Sequence, residues 1–282
     1  MLKQRIITAL LMLAVLLPAL LVATPWPFVV VMLLLISAAG WEWGRLNGLA
    51  MAPSLGLGGL LALAAAAAGA VGWVGHAPSL LWSLATAVWV LGGAYAIRGG
   101  VAAWPKHPQA ARLALGVLIL WMAWLAVSVA KTLGLNFILS LFCLVWAADI
   151  SAYFGGRRFG RRKLALAISP GKSWEGVYAG IVGVFVLAFA WVAFDHWLLA
   201  RGTGATPSLY TLLLARYGGL GTALALVFLA AMSVLGDLFE SLVKRAAGAK
   251  DSSRLLPGHG GVLDRIDALL PVCPIALGLI GA

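Results

Sequence analysis

The sequence predicts an all-α polytopic membrane protein with about nine transmembrane helices and a polar site that faces the cytoplasm. Hydrophobic residues make up 63% of the 282 residues and charged residues only 10%, whereas a soluble domain carries about 25% charged residues. Apolar runs recur along the whole chain, and a membrane crossing needs about 20 such residues. No polar stretch is long enough to form a separate soluble domain, so we expect one integral membrane domain over residues 1–282.

The apolar runs define the predicted spans. Proline, glycine or charged residues separate each run from the next. The first run follows Lys3 and Arg5 and is similar to a signal peptide, but we expect a retained helix because another membrane segment follows at once. The spans are predicted at residues 6–22, 28–39, 55–74, 80–97, 113–130, 137–153, 177–194, 209–235 and 266–282.

Basic residues predict the orientation of these spans. With the N-terminus inside, 17 of the 20 Lys and Arg residues lie in cytoplasmic connections. The other three, Lys131, Arg201 and Arg216, lie outside. Positive charge favours the cytoplasmic side of a membrane protein, so this arrangement is the expected one, and the inner membrane of a bacterium is the expected location.

The net charge of +11 bears on binding partners. In a soluble protein it would indicate nucleic acid, but here the basic residues are scattered between apolar runs. Anionic lipid headgroups and loop orientation explain such a distribution, so we expect membrane lipid and no nucleic acid as a partner. Cys143 and Cys273 lie in apolar runs and are expected to be buried, inert thiols.

One polar stretch, residues 237–267, holds five of the nine acidic residues of the chain. Ionisable groups at the edge of a lipid-soluble chain are costly unless they line a wet cavity or a functional site. Asp237, Ser241 and Lys244 share one helical face at spacings of four and three, and Asp264 and Asp267 share another. Gathered carboxylates are typical of Mg²⁺ sites. The alternative is a solvated loop whose charges pair, with acids at helix starts.

A second polar stretch contains six cations between Arg157 and Lys172. A loop on the positive side of the membrane would explain these charges, but not Asp149 at the end of an apolar helix. It also would not explain the run Ser169-Pro-Gly-Lys-Ser-Trp-Glu-Gly176. This run lacks the upstream glycine of a P-loop, and cations this close together would attract anionic lipid or a triphosphate.

Both stretches resemble the motifs of the phosphatidate cytidylyltransferase family. In the first, the motif residues are Ser241-Leu-Val-Lys-Arg245, Lys250-Asp251, Pro257-Gly-His-Gly-Gly261 and Asp264-Arg-Ile-Asp267. In the second, the run from Ser169 to Gly176 matches with Ser173 where the family usually has threonine, a change that keeps a hydroxyl.

The resemblance implies an enzyme that uses CTP, Mg²⁺ and phosphatidate, and it also implies a homodimer. His259 is open to two interpretations, a base or a structural or phosphate-binding residue, and we favour the second because phosphatidate is already anionic. The implied catalytic residues are Ser241, Lys244, Asp264 and Asp267, the metal ligands Asp237, Asp264 and Asp267, and the phosphate-binding residues Lys172, Ser173, Arg245, Lys250, His259, Gly260, Gly261 and Arg265.

Two other functions remain open at this point. One is a different CTP-dependent membrane enzyme, a lipid kinase or a cytidylyltransferase for another lipid, because the acceptor lipid is chosen by helices that the motifs do not describe. The other is a transporter, since charges inside a membrane also mark transport paths. Transporters tend to show inverted repeats and charges near the middle of the membrane, whereas these charges cluster at one face and no repeat is visible.

Overall fold

A computed structural model of the protein describes residues 2–282, and the side chains from Gln4 onward. It is a bundle of eleven α-helices with one small β-hairpin. The elements are α1 (Leu2–Leu21), α2 (Trp26–Leu46), α3 (Met51–Ala70), α4 (Leu80–Ala87), a π-helical turn (Val88–Gly93), α5 (Ala94–Gly99), a short 3₁₀ turn (Trp104–Lys106), α6 (Gln109–Leu133), α7 (Leu135–Phe159), β1 (Lys163–Ala165), β2 (Ser169–Ser173), α8 (Trp174–Ala200), α9 (Leu209–Ala246), α10 (Leu263–Ile266) and α11 (Leu269–Ile280).

Eight helical segments in the described chain are long and apolar enough to cross a membrane, with α4, the π turn and α5 counted as one. They correspond to the first eight predicted spans and confirm the fold class. Most of them extend several residues beyond the apolar runs because the helical hydrogen-bond ladder continues past the last apolar side chain. The longest extension is in α9, which continues to Ala246 instead of stopping near residue 235.

The ninth predicted span corresponds to α11, which has only 12 residues and a length of about 18 Å. Eight of its twelve residues are buried, and it runs antiparallel to α9. Gly236 of α9 lies against the Asp267 carbonyl and the Pro271 ring, while Arg216 and Tyr217 donate to the Ile280 and Leu279 carbonyls at 2.6 and 2.7 Å. The last segment therefore lies inside the bundle, between α9, α6 and α4.

Contacts between connections define two ends of the bundle. At the end that we call the site end, the end of α2 meets the α9–α10 loop, residues 247–262, and the β-hairpin meets α9. At the opposite end, Lys131 of α6 donates to the Leu20 carbonyl at 2.8 Å, and Asn136 of α7 donates to Asp195 of α8 at 2.7 Å. Both polar stretches of the sequence therefore lie at the site end.

Two packing features position the site end. Glycines let α7 and α8 approach closely, since a Cβ on Gly176 or Gly180 would press on the α7 backbone. On the other side of α9, the Phe239 ring stacks on Trp43 with ring centroids 6.0 Å apart and packs against Trp89 and Trp104. These aromatic contacts fix the rotation of α9 and so determine where its polar face points.

Candidate functional site

Lys244, near the end of α9, is the cation at the centre of the site. Its ammonium lies 2.5 Å from Glu240, one turn earlier on α9, and 2.5 Å from Asp264 of α10. All three side chains are largely buried, with exposed fractions of 11% for Lys244, 3% for Glu240 and 5% for Asp264. The ion pair with Asp264 crosses from one element to the other, so it ties the start of α10 to α9.

Asp264 is also the acceptor that organises the α9–α10 loop. One of its oxygens accepts from the Gly261 N–H at 2.7 Å and from the Ser252 N–H and hydroxyl at 2.9 and 2.8 Å. Burial alone would raise the pKa of the Asp264 carboxyl, but Lys244 and the backbone N–H groups of Gly261 and Ser252 hold it below its usual value. The Asp264 oxygens are thus well supplied with donors from the protein itself.

Glu42, near the end of α2, is a second carboxylate that accepts hydrogen bonds from the α9–α10 loop. This role was not predicted from the sequence. Glu42 is fully buried and accepts from the Ser253 and Ser252 hydroxyls at 2.6 and 3.1 Å. It also accepts from the Val262 and Leu263 N–H groups at 2.9 and 2.8 Å, which caps the start of α10. The signal available in the sequence was a lone carboxylate next to an apolar run. Its partners could not be predicted because they lie more than 200 residues away in the chain.

The β-hairpin delivers Lys172 to α9. The Lys172 ammonium lies 2.6 Å from the Asp237 carboxylate, and the other Asp237 oxygen accepts from the Ser241 hydroxyl at 3.3 Å. Ser173, the next residue, is buried, and its hydroxyl accepts from the Gly176 N–H at 3.2 Å and caps α8. The two predicted stretches therefore meet through Lys172, while Ser173 anchors the hairpin to the helix.

Asp267 lies between the two groups of charges. It is half-buried, directly after α10, and accepts from the Ala268 N–H at 2.8 Å. Burial and then the negative charge of Asp237 raise the pKa of Asp267 to about 7. A buried carboxyl beside the negative charge of a second carboxylate is a place that favours a bound cation.

Two polar cavities open at this end of the bundle. The first has a volume of about 630 Å³ and is lined by Asp149, Lys172, Ser173 and Asp237 together with Arg157 and Lys163. We call it the hairpin cavity. The second, the loop cavity, has a volume of about 720 Å³ and is lined by Arg5, Lys250, Arg254, His259 and Arg265, with Asp251 as its acidic side chain. Lys244, Asp264 and Asp267 lie between the elements that form the two cavities.

The remaining predicted residues are distributed around the loop cavity. Lys250, His259, Gly260 and Arg265 line it, and within the part of the chain that the structure describes the buried His259 Nδ1 atom has no hydrogen-bond partner. Gly260 has a φ of +86°, a conformation that favours glycine, and Gly261 packs tightly against Ser252 and Glu42. Arg245 is exposed and donates to the Ala249 carbonyl at 3.1 Å.

The site therefore has a cluster of carboxylates, Asp237, Asp264 and Asp267. The hairpin cavity and the loop cavity on its two sides each present cations that could bind phosphate groups. Among the side chains that the structure describes, no group of three or more His, Cys, Asp or Glu residues is already arranged around a common metal position. Asp267 accepts from one backbone N–H group, and Asp237 contacts Lys172 and Ser241 at the edge of the hairpin cavity, whereas the buried Asp264 oxygens accept from four protein donors. A hard cation with additional water or phosphate ligands would suit Asp237 and Asp267.

Comparison with known proteins gives matches over the same chain. The profile of the Cytidylyltransferase family matches residues 3–281. A protein of Pseudomonas aeruginosa named "Phosphatidate cytidylyltransferase" is 40% identical over 289 residues, which cover 100% of this chain and 98% of that relative. A Haemophilus influenzae protein of the same name is 50% identical over 141 residues, 50% of this chain and 44% of that relative.

A plant protein is similar over a comparable part of the chain. "Phosphatidate cytidylyltransferase 5, chloroplastic" of Arabidopsis thaliana is 42% identical over 139 residues, 49% of this chain and 30% of that relative. The family profile and the Pseudomonas relative both extend over essentially the whole chain, from the first helix to the buried α11. The chain is a member of the cytidylyltransferase family.

Proposed function

We propose that this protein transfers CMP from CTP to phosphatidate and so forms CDP-diacylglycerol and pyrophosphate. The observation that carries the proposal is the contact between Lys172 and Asp237 at 2.6 Å. It brings a cationic hairpin to the carboxylates of the second polar stretch, in a chain whose full-length relative is named for this reaction. The reaction requires two phosphate-bearing substrates to meet at one site. Two cationic cavities adjoin the carboxylates, one for each substrate.

The reaction is an in-line displacement at the α-phosphorus of CTP. A phosphatidate oxygen forms the new P–O bond, the bond to the β-phosphate oxygen breaks, and pyrophosphate leaves with the electron pair. The main obstacle is electrostatic, because two anions approach and charge grows on the leaving group. Lys172, Lys244 and the arginines of the cavities would lower this barrier by charge-assisted contacts to phosphate oxygens.

A Mg²⁺ ion fits the carboxylates between the cavities. Asp237 and Asp267 would hold it, and Asp264 would support them through Lys244 and the α9–α10 loop instead of contributing a free oxygen. When bound, Mg²⁺ supplies charge neutralisation and alignment of phosphate oxygens. Ser241 holds the Asp237 carboxylate through its 3.3 Å hydrogen bond and thereby fixes one of the two ligands.

The activity is tested with purified protein, Mg²⁺, phosphatidate and CTP labelled in the cytosine ring. The proposal predicts label in the lipid extract that depends on both substrates and on Mg²⁺. A CTP-dependent lipid kinase would leave the cytosine label in water, because it transfers only the terminal phosphate. Replacement of phosphatidate by other anionic lipids identifies the acceptor, and equal rates with all of them would contradict phosphatidate as the substrate.

We also infer that the site end faces the cytoplasm of a bacterial inner membrane, where CTP is available. Ala247 lies at the site end and Ala205 at the opposite end, and both are exposed. In a background without Cys143 and Cys273, Ala247→Cys should react with an impermeant thiol reagent only from the cytoplasmic side. Ala205→Cys should react only from the other side, and the reverse pattern would contradict the orientation.

The homodimer is a further part of the proposal and rests on the family resemblance. A mass measurement of the detergent-solubilised protein, corrected for bound detergent, should give twice the chain mass of 29.4 kDa. A mass of one chain under conditions that preserve turnover would contradict it.

A further inference from the structure

An apolar groove lies between α1 and α2 and ends at the α9–α10 loop. Its volume is about 470 Å³, and its walls include Leu11 and Val15 of α1, Val31 and Leu35 of α2, and Pro257 of the loop. In a membrane such a groove opens laterally to lipid. The apolar walls alone do not identify the ligand, but the polar residues where the groove meets the α9–α10 loop do.

The groove is continuous with the loop cavity. Gln4, Leu256 and Pro257 line both spaces, so a single ligand can occupy them together. The loop cavity presents Arg5, Lys250, Arg254 and Arg265, and the buried His259 Nδ1 atom has no hydrogen-bond partner among the side chains from Gln4 onward or the described backbone. An apolar channel that ends in a cluster of cations and one free ring nitrogen matches a lipid with a phosphate headgroup.

The depth of the groove matches one leaflet of the bilayer. Its α1 wall extends from Gln4 to Leu16, and 12 residues of helix rise by about 18 Å. A hydrocarbon core of about 30 Å gives each leaflet about 15 Å. A lipid in the leaflet at the site end can therefore keep its phosphate at the loop cavity and one acyl chain along the groove.

The helix that forms the outer wall is fixed at both ends. The Thr8 hydroxyl donates to the Pro257 carbonyl at 2.8 Å, next to the junction between groove and cavity. At the other end, Lys131 donates to the Leu20 and Val22 carbonyls at 2.8 and 3.0 Å. Between these anchors α1 is held beside α2 without closing the groove, which keeps the channel preformed.

We propose that the groove between α1 and α2 binds an acyl chain of the lipid substrate while the loop cavity binds its phosphate. This inference rests on the proposed function and deepens it. The hairpin cavity is then left for the nucleotide. The phosphates of the two substrates approach from opposite sides of Lys244, Asp264 and Asp267, and α1 becomes part of the lipid site although the motifs do not include it.

The test compares two neighbouring leucines of α1. Leu11 lines the groove and is 63% exposed, whereas Leu10 does not line it and is 60% exposed. Leu11→Trp should raise the KM for dioleoyl phosphatidate about tenfold, the effect of displacing about two methylene groups from an apolar site. The KM for CTP and the kcat should stay unchanged, and Leu10→Trp should behave as the wild type. Equal KM values in the two variants would overturn the proposal.

A deeper variant gives a second, independent readout. Val15 lies about 16 Å from Gln4 along α1, toward the opposite end of the bundle. An acyl chain of six carbons is too short to reach it. Val15→Trp should therefore impair turnover of dioleoyl phosphatidate but not of dihexanoyl phosphatidate. Equal impairment with both lipids would contradict acyl binding in the groove. This comparison is internal to one protein, so it decides the matter even if Leu11→Trp does not fold.

The headgroup part is tested at Arg5. Arg5→Gln should raise the KM for both phosphatidates and leave the KM for CTP unchanged, whereas a rise in the KM for CTP alone would assign the loop cavity to the nucleotide. If the wild type labels no lipid with either phosphatidate, the proposed function fails. If the wild type is active and the α1 variants follow their controls, only the lipid site fails.

Discussion

The two ends of the bundle each contain a buried carboxylate network, and the networks differ in how they are satisfied. At the opposite end, Asp195 accepts from the Asn136 amide at 2.7 Å, the Ser208 N–H at 2.9 Å and the Thr211 hydroxyl at 2.5 Å. These neutral donors complete its hydrogen bonds and cap the start of α9. At the site end, Glu42 and Asp264 are satisfied in the same way, but burial and the negative charge of Asp237 raise the pKa of Asp267, and Asp237 itself lines an open cavity.

This difference distinguishes carboxylates that stabilise the fold from carboxylates that bind ligands. A network that satisfies itself stabilises the fold and needs nothing more. A group of like charges lowers the stability of the fold, and such groups occur where ligand binding offsets the loss. Substitutions at the two ends should therefore have opposite signatures in activity and stability.

The largest expected effect is that of Asp267→Asn. The amide keeps the size of the side chain and the contact to the Ala268 N–H, but it removes a charge from the proposed Mg²⁺ site. Turnover should fall by several orders of magnitude, since each factor of ten corresponds to about 1.4 kcal/mol of barrier. The thermal midpoint in detergent should stay the same or rise, because the repulsion with Asp237 is relieved. Near-normal turnover at saturating Mg²⁺ would remove Asp267 from the site.

A smaller effect is expected for Lys172→Ala. The variant loses one cation from a substrate phosphate, and a charge-assisted contact contributes about 1.5–3 kcal/mol. The kcat/KM should fall by about ten- to a hundredfold with little change in the thermal midpoint. Lys106→Ala is the matched control, because Lys106 is an exposed lysine outside the linings of both cavities. A lower midpoint with an unchanged kcat/KM would make the hairpin a structural element only.

The helices and the composition of the site could be predicted from the sequence because each depends on local information. Apolar runs set the spans, and the spacing of Asp237, Ser241 and Lys244 set their common face on α9. The two motifs were expected to contribute to one site, but the contact between Lys172 and Asp237 was not itself predicted. The ninth apolar run, predicted at residues 266–282, forms the shorter α11, and its position between α9, α6 and α4 depends on packing that the run alone does not specify.

Other features depend on partners far apart in the chain. Glu42 acquires its role from donors more than 200 residues away, and no spacing rule connects them. The division of the charges into two cavities depends on how α1, the hairpin and the α9–α10 loop pack together. Ser173 was predicted to bind phosphate, and its capping of α8 depends on the helix start at Trp174.

The comparison between the two ends is tested most directly by Asp195→Asn measured beside Asp267→Asn in the same detergent. An amide at position 195 cannot accept from all three donors, and an unsatisfied buried group costs about 1–3 kcal/mol. We predict that Asp195→Asn lowers the thermal midpoint by several degrees and leaves kcat/KM of the folded protein unchanged, whereas Asp267→Asn abolishes turnover at an unchanged or higher midpoint. A loss of turnover in Asp195→Asn at full stability, or a loss of stability in Asp267→Asn with full turnover, would contradict the account.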